Sequence, residues 1–198
     1  MGEGLLFLLR IIFTIVFFPV VYACAVIFYG HLDAYPAGYG EFFQWGAYSF
    51  VLVFFFVYQF QRMYQGGQTA MTEIFKFLTP LDKTIARVIP VYATIVLVGF
   101  YILNKIRDVN AYAHYFLFFA GFFFMMHVLL LARELQDEES SFLKSAYFFQ
   151  MSLYFVFLAC VVVLLMDLTA WQWTFFDFAS AVVARARETY TLAVHKIF

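Results

Sequence analysis

Two histidines interrupt the longest aromatic stretch of the chain, His114 and His127 in AYAHYFLFFAGFFFMMHVLLL, residues 111–131. Imidazole is a common axial ligand of haem, so a membrane cytochrome is the first chemistry to weigh. The spacing argues against it. Thirteen residues leave the two rings roughly 140° apart around a helix and ~20 Å apart along it. Two haems on one helix face need a separation nearer about fourteen.

His114 has other company. If the chain crosses a membrane five times, the outer ends of the first and fourth spans share a side, which gathers His31, Asp33 and His114 with Glu41, Asp108, Asn110 and Asp167. Imidazole plus carboxylate at a membrane surface is a candidate site for a divalent metal, zinc or copper, or a proton relay. No HxxxH, HExxH or CxxC spacing supports it, and solvated loop residues are the plainer reading.

On the inner side, Arg10, His127 and Gln150 fall at similar depth, with Tyr58 and Gln59 nearby. Polar groups inside a membrane face other helices, so His127 is expected to hydrogen-bond Gln150. A proton or anion path through Arg10 and His127 would need more ionisable groups within the spans. The acidic run Glu134, Asp137, Glu138, Glu139 reads as a hydrated turn. Cys24 and Cys160 fall in two different spans and read as small apolar residues rather than a disulfide.

The elements that must position these groups follow from composition. The 198 residues are 65% hydrophobic and 13% charged, whereas a soluble domain carries about a quarter charged residues. Long continuous apolar runs exclude a barrel of short alternating strands. The fold class is therefore all-α, a polytopic integral membrane protein. We expect a five-transmembrane-helix bundle over residues 1–168, with spans at about 5–28, 42–60, 84–103, 111–131 and 145–168. Pro19 should kink the first span, and Gln65-Gly66-Gly67-Gln68 should break the helix after the second. Thr79-Pro80-Leu81-Asp82 has the chemistry of a helix start, with Thr79 as its cap. In the fourth span Gly121, beside Ala120, leaves room for another backbone to approach.

Residues 169–198 form an amphipathic helix expected to lie flat on the far surface, with Trp171 and Trp173 at headgroup depth. Phe175, Phe178 and Val182 mark its apolar side, the expected interface with lipid or a partner. Seven basic residues fall inside and five outside when the N-terminus is cytoplasmic and the C-terminus opposite. The partners implied are membrane lipids and either further copies of the chain or other membrane subunits. A net charge of −1 gives no reason to expect nucleic acid. Nothing resembles a nucleotide loop, a serine nucleophile elbow or a paired-carboxylate site. The function expected is a non-catalytic assembly subunit, with a small transporter using Arg10, His127 and Gln150, or a metal-binding redox subunit, as alternatives.

Overall fold

The computed structural model describes residues 3–36, 38–56, 60–138 and 145–197. Among them the only regular secondary structure is helix, and there is no strand. Eight α-helices follow one another: α1 Glu3–His31, α2 Tyr39–Phe56, α3 Phe60–Ile74, α4 Asp82–Val88, α5 Val91–Ile106, α6 Ala113–Glu138, α7 Ser145–Ala170 and α8 Phe175–Ile197. Among the described residues three stretches are long and apolar enough to cross a membrane, Phe7–Ala34, Asn110–Glu138 and Ala146–Ala170. The pair α4 and α5 makes a fourth if a bent pair is taken as one span.

As the sequence suggests, α6 is the axis, packing against α2, α3, α5 and α7. Its closest neighbour is α2, and two glycines explain why. A Cβ on Gly121 would stand 1.9 Å from the Phe43 carbonyl oxygen, and one on Gly46 would stand 1.8 Å from that of Phe118. Each glycine therefore admits the other helix's backbone, and no larger residue fits at either place. Phenylalanines fill the space around this contact. Phe28 of α1 meets Phe43 of α2, Phe124 of α6 and Phe178 of α8, with ring centres 6.3, 5.7 and 6.5 Å away. Each such aromatic pair adds about 0.5–1.5 kcal/mol beyond the area it buries.

The structure departs from the sequence reading in four places. First, α3 runs through Gly66 and Gly67 without a break. Gly67 is a packing site: a Cβ there would meet the Tyr92 ring at 3.0 Å, and the Tyr92 hydroxyl donates to the Met63 carbonyl at 2.7 Å. Second, Thr79 does not cap α4; its hydroxyl turns back to the Lys76 carbonyl, and the helix starts at Asp82 after Leu81. Third, residues 84–103 are not one rod. The chain bends by 65° between α4 and α5, because Pro90 lacks the N–H and the space that a continuous helix requires. By contrast, α1 continues as helix through Pro19.

The fourth departure is the largest. The sequence turns Phe178 and Val182 to lipid or a partner, whereas α8 runs antiparallel alongside α1. Phe178 packs on Phe28 and His31, Arg185 reaches Tyr22, and the Tyr190 hydroxyl donates to the Val16 carbonyl. The apolar side of α8, Phe178, Val182 and Ala186, is buried within the chain. It needs no external surface.

The glycine contact makes a sharp prediction. Gly46→Ala or Gly121→Ala must force α2 and α6 apart and should lower stability by about 2 kcal/mol or more. Gly99→Ala, with nothing within 4 Å of the added carbon, should be neutral or slightly stabilising. Thermal unfolding in one detergent, read by tryptophan fluorescence, compares the three.

Candidate functional site

Polar groups concentrate at both ends of the bundle and along one face of α8. At the Glu134 end, three elements are tied through one carboxylate. Glu134 of α6 accepts the Tyr64 hydroxyl of α3 at 2.9 Å on one oxygen, and Arg87 Nε and Nη2 of α4 at 3.1 and 2.6 Å on the other. Arg87 Nη2 also pairs with Glu138, one helical turn further along α6. Burial, reinforced by the neighbouring Glu134 charge, pushes the Tyr64 hydroxyl well above the ordinary tyrosine range, so it remains a donor.

The bend at Pro90 supplies the partner of His127. In an unbroken helix the Arg87 carbonyl would accept from the backbone four residues on; here the helix ends at Val88. His127 Nε2 lies 2.9 Å from that carbonyl. A carbonyl only accepts, so Nε2 carries the proton. The Tyr64 ring packs edge-on against the imidazole, their centres 5.4 Å apart. Beside this cluster opens a crevice of about 670 Å³, lined by Gln61, Gln65, Thr69, Arg133 and Asp137 among others. The Arg87 and Glu134 side chains remain 18% and 33% exposed.

At the opposite end Asp167 of α7 is 2% exposed, yet its carboxylate is fully engaged. It accepts the Tyr35 hydroxyl at 3.0 Å, the Thr174 hydroxyl at 2.6 Å, and the backbone N–H groups of Thr174 and Phe175 at 2.9 and 2.8 Å. The carboxylate thus caps the first turn of α8, where a negative charge is favoured. Since the Thr174 hydroxyl donates to Asp167, it accepts from His31 Nε2, 2.9 Å away. Asp167 faces the hydroxyl rather than the imidazole, the reverse of a charge-relay triad.

The groups singled out from the sequence are distributed as follows. His31 joins the Asp167 cluster, Asp33 is exposed on the turn after α1, and the His114 ring packs against Phe42, centres 5.3 Å apart. Among the described residues no three His, Cys, Asp or Glu side chains are placed to hold a metal ion. Gln150 and Arg10 are exposed, so His127 bonds a carbonyl of α4 and not Gln150. Tyr58 and Gln59 lie outside the described residues. Cys24 and Cys160 are free thiols. Trp171 stacks on Tyr101 with Lys105 3.7 Å above its ring, whereas Trp173 is 81% exposed.

Sequence reasoning missed the outward side of α8 as a site in its own right. Ser180, Val183, Ala184, Arg187, Glu188, Thr191 and Leu192 are all exposed there and line a shallow groove of about 930 Å³ whose walls are mostly apolar. Glu188 pairs with Arg185 at 3.0 Å, and Arg187 has no ion pair among the described residues.

The two acids at the α6 end are not equivalent. Glu134→Ala strips acceptors from both Tyr64 and Arg87 and should lower stability by about 2 kcal/mol; Glu138→Ala, whose side chain is 53% exposed, should change it by less than about 1 kcal/mol. Chemical unfolding in mixed micelles separates the two values. Compared with models of protein families, with curated proteins and with solved structures, the chain matches none.

Proposed function

We propose that this chain is a non-catalytic integral membrane protein that works as a subunit of an oligomeric membrane complex. Helices α1, α6 and α7 have the length and apolarity of spans. In this reading α2 crosses with them, because it lies against α6 from Phe42 beside His114 to Phe50 beside Phe122. The bent pair α4–α5 makes a further crossing, and α8 crosses back beside α1.

One observation carries the assembly reading. Tyr190 bonds Val16, the middle of the 29-residue α1, and Arg185 reaches Tyr22. Arg187 and Glu188 therefore stand at mid-depth of a membrane span, on the side of α8 turned away from the bundle. A charge at that depth facing lipid costs about 2.5–3.5 kcal/mol on insertion scales, and such residues face protein or water. The apolar face of α8 is already covered by α1. The charged pair on its outer face is what needs a cover.

Orientation follows. With α8 crossing, Lys196 joins Arg10, Arg62, Lys76, Lys83, Arg87 and Arg133 on one side, and among the described residues only Lys105 and Arg107 remain on the other. That asymmetry sets the N-terminus in the cytoplasm and returns the C-terminus to the same side. Arg10 and Gln150 are exposed and His127 is held by a backbone carbonyl, so the three do not line a common path.

Light scattering of the protein in lipid nanodiscs tests this directly. The native chain should give the mass of an assembly, and Arg187→Leu with Glu188→Leu, which makes the face compatible with lipid, should shift it to single chains. A native protein that is one lone chain contradicts the reading.

A further inference from the structure

The partner's identity can be read from the same face. We propose that a second copy of this chain covers α8, the two helices crossing in parallel at Ser180 and Ala184 about a two-fold axis along the membrane normal. This rests on the assembly reading above and goes further by naming the occupant.

Three features of the face point to a copy of itself. Ser180 and Ala184 are four residues apart and both exposed, the small-residue spacing that lets two membrane helices approach closely. Immediately beyond them stand one cation and one anion, Arg187 and Glu188. A face carrying adjacent opposite charges is complementary to itself: the two-fold axis sets Arg187 of each chain beside Glu188 of its partner, and both pairs form at once. Arg187 is also the member with no ion pair of its own among the described residues, while Glu188 is held only from one side, by Arg185.

The surroundings fix the direction of the axis. Basic residues gather at one end of the bundle, so both copies insert the same way round. Parallel helices then follow, and an antiparallel pair is excluded. On α1, Ile15, Phe18 and Val26 are exposed, side chains suited to lipid.

Disulfide cross-linking in lipid bilayers tests the arrangement. Native Cys24 and Cys160 are first replaced by alanine, and the chain then carries Ala184→Cys, Ser180→Cys or, as a lipid-facing control, Ile15→Cys. Mild oxidation should link Ala184→Cys and Ser180→Cys chains into dimers and leave Ile15→Cys chains single. Adding Arg187→Glu to the Ala184→Cys chain should weaken dimerisation about tenfold, the loss expected when reciprocal attraction becomes repulsion. The same preparations are sized in nanodiscs. An assembly in which Ala184→Cys links no better than Ile15→Cys, or one built with a different polypeptide, overturns the second-copy arrangement and leaves the assembly reading standing. A lone chain overturns both.

Discussion

A buried carboxylate decides the course of the last helix. Asp167, out of contact with water, must find donors for its charge. Three of the four it finds belong to Thr174 and Phe175, the start of α8, and the fourth is Tyr35, in the turn after α1. The ends of α1 and α7 and the beginning of α8 are thereby fastened at one point. The turn between α7 and α8 is fixed as well. Trp171 adopts a left-handed conformation, φ 54°, and the Gln172 N–H returns to the Asp167 carbonyl at 3.1 Å, the bond that closes a Schellman ending. That backbone costs a non-glycine residue about 1–2 kcal/mol. The Tyr101 stack and the Lys105 ammonium over the indole offset it. From that point α8 has the apolar flank of α1 to run down, and its charges reach the middle of the bundle's length.

The rest of the molecule divides its work between centre and ends. In the centre, attraction between helices in lipid comes from close packing, not from escape from water. Gly46 and Gly121 bring two backbones together, and phenylalanine rings close the gaps left around them. At the ends, polar clusters tie the helices: Glu134 joins α3, α4 and α6, and Asp167 joins α7 to α8 and the turn after α1. The bend at Pro90 serves the first of these, since it both frees the carbonyl that takes His127 and aims Arg87 at α6.

Much of this architecture was legible in the residues alone. Long apolar runs announced a helical membrane protein, and Gly121 beside Ala120 marked α6 as the helix that others approach. The apolar side of α8 was legible too, since Phe178, Val182, Ala186 and Tyr190 recur at helical spacing. What covers that side was not. The same periodicity serves a helix lying on a membrane and one lying along a span. The difference was made by Asp167 and by the left-handed Trp171, neither of which any spacing announces. The Gly66-Gly67 pair misled because glycine marks both breaks and close contacts, and only the fold shows the Tyr92 ring resting there. Depth alone paired His127 with Gln150; depth says nothing about which way each side chain faces.

The path of α8 along α1 is the claim on which orientation and assembly both depend. The most direct measurement is a pair of spin-label distances in lipid nanodiscs, from Lys196→Cys to Arg10→Cys and from Lys196→Cys to Gly30→Cys, with Cys24 and Cys160 replaced and labelled chains diluted in unlabelled ones. Antiparallel packing predicts a short first distance and a second longer by roughly 20 Å or more, at ~1.5 Å per residue over the length separating the two sites on α1. A short distance to position 30 and a long one to position 10 would contradict the account.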